Sequence, residues 1–387
     1  MFKSKRTHTL LPNIRIPKEE YLIVLLCRQN INPRRDTPNN IRWKAFLSTI
    51  NWERFVRILC QNQLELLLHK NISQNQLFKN IPQQTQKQLI ALYLTETRIA
   101  RSKSDEFTRI IKKLNHLHIP YVLMKTFGYT IKLFHSAIPK LYSDLDILIQ
   151  VKNFAHTRVL LEKEGYNLYL THTEKAVQQQ NFSDFYTPKG EEIFRKKEFE
   201  IELHTTVART LSIDSRVLSD ISLRSLTQEF YKDTQNTTYQ KQNIRVFSPT
   251  SLFVTQFIHL FFQHNYQGIM RYCELAKIMT SFYDKINWSF VLILLEKYKL
   301  RSYFRWFLFL LNDIFPSTVP AILMKEFSIK NKHLNIVEFI LYRFIKYQMF
   351  HPGDFEYSDK QKEIVWAVID RRLIRYFLHP IRYFVTK

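Results

Sequence analysis

The sequence predicts an α+β protein in which a small mixed sheet with its own helices is flanked by an N-terminal and a C-terminal helical region. Two observations support this fold class. Between residues 119 and 207, short apolar runs bounded by turn residues predict strands. On either side of that block, apolar residues recur every three or four positions, which is typical of helices that bury one face.

The same patterns divide the chain into five stretches. They are a basic leader at 1–17, an N-terminal helical region at 18–117, an α/β core at 118–247, a C-terminal helical region at 248–350, and a loop, last helix and basic tail at 351–387.

The N-terminal region is predicted to be helical from Lys18 onward. Asn51 is a favourable N-cap for a helix that starts at Trp52. Residues 87–117 carry apolar residues at helical spacing and many charges on the outer face, which predicts one long helix or two.

The central block alternates between strand and helix patterns. Gly165 marks the end of one helix, because glycine commonly ends a helix in a left-handed conformation. The predicted strands are 119–124, 145–151, 166–171, 192–194 and 199–207, and the predicted helices are 128–135 and 154–165.

The C-terminal region carries further helical patterns. His259 and His264 lie five residues apart at the end of the first of them. In an α-helix this spacing separates two side chains by about 140°. We therefore expect them to be poor partners for one metal ion and to be buried, hydrogen-bonded histidines. The predicted helices are 252–262, 288–298, 303–315, 334–350 and 361–378.

The 387-residue chain has a formal net charge of +23, which favours polyanionic partners such as nucleoside triphosphate, RNA, DNA or an anionic membrane surface. A lysine-rich proteome would give the same charge without such a partner. The basic, aromatic tail from Arg371 to Phe384 is compatible with peripheral contact to a membrane or to RNA. A last helix that packs on the core with solvated arginines is the simpler interpretation.

The composition disfavours several classes of protein. Only five glycines occur, and the chain has no glycine-rich phosphate loop of the Rossmann or P-loop kind. The three cysteines are isolated, so neither a zinc site nor a disulfide framework is indicated, and a cytoplasmic location is predicted. No apolar run is long enough to span a membrane.

Acidic side chains alternate with apolar ones in two of the predicted strands. Asp144 and Asp146 would point to one side of the first strand, and Glu202 and His204 to one side of the second. Carboxylates brought together repel one another unless a cation joins them, and Mg²⁺, or Mn²⁺ in its place, prefers such oxygen ligands. The pattern predicts metal-assisted phosphoryl chemistry. In the simpler alternative, the aspartates are solvated at a strand end and His204 bonds a neighbouring loop.

Several short motifs resemble a known family. The strand that ends at Lys125, the lysine Lys140 shortly before Asp144, the run Asp-Leu-Asp-Ile-Leu-Ile that follows, and the run Glu-Leu-His at Glu202 are similar to those of the uncharacterised nucleotidyltransferase-like family. That family belongs to the DNA polymerase beta-type nucleotidyltransferase superfamily. The resemblance covers roughly residues 18–310, and its most specific part is the pair of acidic strands.

The resemblance implies a role for each matching residue. Lys125 or Lys140 would neutralise the leaving pyrophosphate. His204 and Arg271 would contact the acceptor or support the other residues. The implied reaction moves a nucleoside monophosphate from a nucleoside triphosphate to an unidentified acceptor hydroxyl. The implied catalytic residues and Mg²⁺ ligands are Asp144, Asp146 and Glu202.

The turn after the first strand departs from the family pattern. Family members typically have glycine after the lysine, whereas Thr126 follows Lys125 here and the nearest glycine is Gly128. Glycine lets backbone amides approach a phosphate, and a β-branched residue obstructs them. Either Gly128 and the start of its helix bind phosphate, or the protein is catalytically inactive and binds RNA or a protein partner through its basic surface. The predicted phosphate-binding residues are Lys125, Thr126, Gly128 and Lys140.

Overall fold

The computed structural model describes nine stretches of the chain. Residues 1–16 of the predicted leader, the segment from 353 onward that holds the predicted last helix and tail, and Lys140 lie outside them. The described residues are 17–31, 43–74, 77–134, 144–169, 191–208, 220–264, 266–316, 318–329 and 336–352.

Helices make up most of the described structure. A short 3-10 turn spans Leu77–Asn80, and a π-helical turn spans His259–Gln263. None of the described helices is both long and apolar enough to cross a membrane. The α-helices are α1 (Lys18–Ile31), α2 (Trp43–Leu47), α3 (Trp52–Gln61), α4 (Glu65–Gln74), α5 (Gln83–His116), α6 (Lys125–Phe134), α7 (Val151–Lys163), α8 (Asp220–Lys232), α9 (Pro249–Ile258), α10 (Ile269–Ser281), α11 (Trp288–Lys297), α12 (Arg301–Ile314), α13 (Ala321–Glu326) and α14 (Ile336–Phe350).

The described strands form one mixed sheet with the order β3-β4-β5-β2-β1-β7-β6. The pairs β2/β5 and β1/β7 are parallel, and the other neighbours are antiparallel. This mixed sheet with flanking helices confirms the predicted α+β class. The strands are β1 (Tyr121–Leu123), β2 (Leu145–Ile149), β3 (Asn167–Tyr169), β4 (Glu191–Lys196), β5 (Phe199–His204), β6 (Thr234–Tyr239) and β7 (Gln242–Phe247).

The two faces of the sheet pack against different parts of the chain. Leu145, Ile147 and Ile149 of β2 belong to an apolar cluster with residues of α5, α6 and α7. Because strand residues alternate between faces, Asp146 and Leu148 turn the other way, and Leu148 belongs to the cluster of the helical regions. The acidic side chains of β2 therefore lie on the face of the sheet that the helical regions cover.

The N-terminal and C-terminal helices share a single apolar core. Phe55 of α3 is fully buried in the same cluster as Phe257 of α9 and Phe304 of α12. The amide of Ile269, at the start of α10, donates to Asn62 Oδ1 at 3.0 Å, which adds a polar link between the two regions. The helices on either side of the sheet segment in sequence thus come together in space.

The hairpin of β6 and β7 and the helix α8 are not anticipated by the sequence. The hairpin turns at Gln240 and Lys241, whose φ angles of 44° and 63° are both positive. A turn of this kind normally contains asparagine, aspartate or glycine, so the sequence gives no turn signal here. The helix α6 also begins at Lys125, three residues before the predicted start at Gly128.

Candidate active site

Two neighbouring parallel strands bring acidic side chains to one point of the sheet. Asp146 on β2 is the register partner of Glu202 on β5, and Leu148 is the partner of His204. Because alternate residues share a face, Glu200 lies on the same side of β5 as Glu202 and His204. The side chains of Asp146 and His204 are buried, and that of Glu202 is 13 % exposed. The site is therefore a mostly buried carboxylate pair with one open side.

A lysine ammonium lies between the two carboxylates. Lys125 opens α6 directly after β1, and its Nζ is 2.5 Å from Asp146 Oδ1 and 3.0 Å from Glu202 Oε2. The amide of Met124 donates to the carbonyl of Asp146, which fixes the start of α6 against β2. Lys125 has a φ of 42°, a left-handed conformation that costs a residue other than glycine about 1–2 kcal/mol. Strain of this kind is common at functional sites.

His204 is a second positively charged group at this point. Its Nε2 is 2.8 Å from Asp146 Oδ1 and 3.2 Å from Glu202 Oε2, and its Nδ1 is 3.5 Å from Glu191 Oε2. Burial and the charge of Lys125 lower the pKa of this imidazole, but the hydrogen bonds to Asp146 and Glu202 outweigh them and raise the pKa to about 9. His204 is therefore an imidazolium at neutral pH when no metal ion is bound.

The two buried carboxyl groups differ in pKa. Burial raises the pKa of Asp146 to about 6, against the charge of Lys125 and together with that of Asp144. Burial also tends to raise the pKa of Glu202, but Lys125 and His204 hold this pKa well below its usual range. Glu202 therefore carries a permanent negative charge, whereas Asp146 titrates close to neutrality.

Asp144 belongs to a second group of carboxylates that overlaps the first. One oxygen each from Asp144, Glu200 and Glu202 lie within 4.8 Å of one another, and the same holds for one donor atom each from Asp146, Glu202 and His204. Glu202 is common to both groups. The all-oxygen group suits Mg²⁺ or Mn²⁺, while the imidazole of the other group is a softer ligand.

Lys103 of α5 places a further cation near the second group. Its side chain is buried, and burial lowers the pKa of its ammonium, although the charges of Asp144 and Glu200 act in the opposite direction. The long helix α5 thus contributes positive charge to the same site as the start of α6.

Gly128 has a packing role in the structure. A Cβ at this position would lie 2.6 Å from the carbonyl oxygen of Leu123, so α6 approaches β1 too closely for any larger residue. Thr126 lies in the first turn of the same helix, and Lys140 lies outside the described residues. Phosphate binding by Thr126, Gly128 and Lys140 stays a prediction.

The expectation that His259 and His264 point in different directions is wrong. Their Nε2 atoms are 3.0 Å apart. The chain forms a π-helical turn over His259–Gln263, and in a turn with hydrogen bonds between residues five apart, such residues lie on one side. The α-helical angle therefore does not apply. Arg271 of α10 joins them, because its Nη2 is 2.9 Å from His264 Nε2.

All the residues of this site lie within the part of the chain that matches a known protein family. A family model described as an uncharacterised nucleotidyltransferase matches residues 48–316, which is more than half of the chain. The chain belongs to this family. A search of the curated proteins and a search of the solved structures each found no match. The family assignment confirms the resemblance seen in the sequence motifs.

Three residues of this candidate site were not among the predicted ones. Glu200 had a visible signal, since it lies two positions before Glu202 in the same alternating run. Glu191 is the register partner of His204 on β4, which becomes apparent only once the two strands are paired. Lys103 is one of many charged residues on α5, and no local pattern distinguishes it.

Proposed function

We propose that this nucleotidyltransferase moves a nucleoside monophosphate group from a nucleoside triphosphate to an acceptor hydroxyl, with Mg²⁺ as cofactor and Mn²⁺ as its substitute. The observation that carries the proposal is the pairing of Asp146 with Glu202 on adjacent parallel strands around a cation, the ammonium of Lys125. Two carboxylates in this arrangement can bind a cation between the two acidic strands.

The residues present fit a divalent cation. Asp144 with Glu200 and Glu202 would form one cation position, and Asp146 with Glu202 and His204 a second, so the ligands Asp144 and Asp146 would be joined through the shared Glu202. A bound Mg²⁺ would polarise the transferred phosphate and make an acceptor hydroxyl more acidic.

The charges of the chain would affect a triphosphate differently at long range and at short range. The net charge of +23 attracts a triphosphate from a distance. At short range, the carboxylates of Asp144, Asp146 and Glu202 would repel it. A triphosphate therefore gains from the site only when cations cover these oxygens, which agrees with a metal-dependent reaction.

The protein side chains would divide the remaining chemistry. Lys125 would neutralise charge on the leaving pyrophosphate. Burial raises the pKa of Asp146 in the metal-free site, and a bound cation would keep this carboxylate ionised as a ligand. Glu202 stays ionised because its pKa is lowered, which suits a permanent ligand.

Incubation of the full chain with nucleoside triphosphates labelled at either the α- or the γ-phosphate tests this proposal. Each reaction contains Mg²⁺ or Mn²⁺ and one acceptor class: RNA, total protein, or a small-molecule extract. We expect the α-label to appear in an acceptor and the γ-label in free pyrophosphate. Asp146→Asn and Glu202→Gln should lower transfer by at least about 1,000-fold.

The exposed aspartate Asp284 offers a matched control, and Asp284→Asn should transfer label at the wild-type rate. Transfer of the γ-label instead would identify a phosphoryl transferase. No α-label transfer to any acceptor class, or full activity in Asp146→Asn, would show that the proposed reaction is wrong.

A second candidate is a catalytically inactive relative that binds RNA or a protein partner through its basic surface. The ion pairs of Lys125 favour it, because an ammonium that already neutralises Asp146 and Glu202 reduces the need for a metal ion. This candidate predicts RNA binding that weakens steeply with salt and is unchanged in Asp146→Asn. Calorimetry with nucleoside triphosphate and Mg²⁺ separates the two, since tight, metal-dependent binding with product formation occurs only in the enzyme.

The acceptor and the cellular location are further parts of the proposal. Nucleic acid as an acceptor or partner is supported by the charge of +23. A cytoplasmic location is supported by the low cysteine content, since three cysteines in 387 residues do not suggest a disulfide framework.

A further inference from the structure

A second cluster of titratable side chains lies in the C-terminal helices. His259 belongs to the π-helical turn, His264 follows that turn, and Arg271 belongs to α10. His264 Nε2 is 3.0 Å from His259 Nε2 and 2.9 Å from Arg271 Nη2. All three side chains are partly exposed. Two imidazoles and a guanidinium therefore converge at one point, on residues that are each partly exposed.

The local backbone is built to hold this cluster. Tyr266 between the two helices is fully buried, and its hydroxyl donates to the carbonyl of Tyr303 at 3.0 Å. Gly268 has a φ of 80°, and a Cβ there would lie 3.2 Å from Arg271 Nη1. Glycine thus gives the guanidinium room beside the turn, and the buried tyrosine anchors the turn.

The hydrogen bonds fix the protons on the two imidazoles. Arginine is only a donor, so His264 Nε2 must be an acceptor without a proton. The contact of His259 Nε2 with the same nitrogen then needs its proton on His259. An imidazole nitrogen has only one lone pair, so the two contacts share it, and the neutral imidazole is a weak partner for a guanidinium compared with a charged oxygen.

Arg271 has hydrogen-bonding capacity left over. Its Nε is buried and bonds no other residue within the described ranges. Burial lowers the pKa of this guanidinium, although Glu274 and Asp144 oppose the shift. The nearby acids therefore do not fully compensate for the burial of its charge.

The cluster is close enough to the acidic strands to interact with them. The helix α9, which leads into the π-helical turn, packs against α6, the helix that begins at Lys125, and the charge of Asp144 acts to raise the pKa of Arg271. We propose that His259, His264 and Arg271 form a binding subsite for a phosphate group. A phosphate oxygen would replace the neutral imidazole as the partner of the guanidinium. The subsite deepens the proposed function and depends on it for the source of the phosphate, which is either the nucleotide or a phosphorylated acceptor.

Calorimetry on the full chain in EDTA tests the subsite with pyrophosphate as the probe. We expect pyrophosphate to bind the wild type and to bind Arg271→Gln at least tenfold more weakly. The exposed arginine Arg57 gives the matched control, and Arg57→Gln should bind like the wild type. Wild-type protein that does not bind pyrophosphate, or equal binding by Arg271→Gln, would overturn the proposal.

Imidazole nitrogen NMR of the wild type provides a test that needs no folded variant. Without ligand, His264 should show a proton on Nδ1 and none on Nε2, and pyrophosphate should shift its Nε2 signal. Through-bond correlation to the assigned backbone of the wild type identifies that signal. A His264 signal that does not respond to saturating pyrophosphate would also overturn the subsite.

Two further arms distinguish the source of the phosphate. If the nucleotide supplies it, Arg271→Gln weakens binding of ATP in EDTA by the same factor as binding of pyrophosphate. If the acceptor supplies it, ATP binding stays at the wild-type level while binding of a sugar phosphate falls. Because no divalent ion or turnover is involved, pyrophosphate binding would persist even if the transfer assay failed, so the two proposals can fail separately.

Discussion

The acidic strands and the histidine–arginine cluster have opposite electrostatic character. In the strand site, Asp146 and Glu202 share Lys125 Nζ at 2.5 and 3.0 Å, so negative groups surround a cation. In the cluster, His259 Nε2 at 3.0 Å and the guanidinium of Arg271 at 2.9 Å share the single lone pair of His264 Nε2. The first site is short of positive charge and the second of negative charge. A triphosphate with its metal ions supplies both kinds of charge.

The two sites also differ in how the backbone builds them. Regular strand pairing places Asp146 opposite Glu202, and the register holds over four consecutive residue pairs. The cluster depends on one π-helical turn at His259–Gln263 and on the room beside Gly268. In a regular strand, the spacing of residues in the sequence determines which side chains share a face. In a local irregularity such as the π-helical turn, the same spacing can place side chains on the opposite side from the one expected. The strand site should therefore tolerate distant changes better than the cluster does.

The largest expected effect comes from removal of the ammonium in the strand site. Lys125→Met leaves Asp146 and Glu202 facing each other with His204 as their remaining cation. Loss of one partner from a buried ion pair costs about 3–5 kcal/mol, so we expect a decrease of about 4 kcal/mol in the free energy of unfolding in EDTA. Denaturant titration measures it.

Added Mg²⁺ sharpens this test, because it should raise the melting temperature of Lys125→Met more than that of the wild type. The exposed Lys163 gives a matched control, Lys163→Met, which should change neither value. Equal stability of Lys125→Met and the wild type in EDTA would mean that the carboxylates do not depend on this cation.

The protonation of His204 should be the next largest effect. Its pKa is raised from 6.5 to about 9, because the hydrogen bonds to Asp146 and Glu202 outweigh burial. A raised pKa of the folded state stabilises the protein below pH 6.5, and this contribution is lost as the pH rises to about 9. The shift corresponds to about 3 kcal/mol.

In EDTA, the difference in unfolding free energy between the wild type and His204→Gln should therefore shrink by about 3 kcal/mol from pH 6.5 to 9. The exposed His156 provides the control, since His156→Gln should show no such change. A difference that stays constant over this range would place a neutral imidazole at position 204 and weaken the contrast with the neutral His264.

The helix that carries Lys125 should respond to a single methyl group. The Cβ of Gly128→Ala would lie 2.6 Å from the carbonyl oxygen of Leu123, and overpacking of this kind costs about 2 kcal/mol. Gly165→Ala has the same change at a φ of 84° with no contact below 3.7 Å, so it should cost about 1 kcal/mol from backbone strain alone. Thermal unfolding of both variants measures the difference. A larger loss in Gly165→Ala would contradict close packing at Gly128.

The sequence predicts the strand site well because strand periodicity is short and robust. Alternation alone places Asp144 with Asp146 and Glu202 with His204. Helical periodicity on either side predicts the flanking helices, and the family resemblance implies that the sheet is mixed. What alternation does not give is the register between strands, so Glu191 could not be placed opposite His204 without the pairing of β4 with β5.

The remaining features depend on interactions that no local pattern records. The π-helical turn that brings His259 to His264 arises from packing around residues such as Tyr266, and the α-helical angle gives the wrong answer there. The turn at Gln240 and Lys241 adopts positive φ angles without a glycine. Tertiary packing overrides local preference in both places, and a single sequence does not show where this happens.

The smallest expected effect comes from a change at Lys103, a cation near the carboxylates of the strand site. The charges of Asp144 and Glu200 act to raise the pKa of its buried ammonium, so this ammonium repels any divalent cation that these carboxylates bind. Removal of one such charge is worth about 1 kcal/mol at the screened distances of a partly open site. We therefore expect Lys103→Gln to bind Mn²⁺ about fivefold more tightly than the wild type and to bind ATP in EDTA more weakly. Electron paramagnetic resonance of free Mn²⁺ measures the first, and Lys112→Gln on the exposed side of α5 is the control. Weaker Mn²⁺ binding in Lys103→Gln would show that Lys103 positions the carboxylates instead of competing with the metal ion. The arrangement of the carboxylates in the strand site would then depend on the cationic side chains around them.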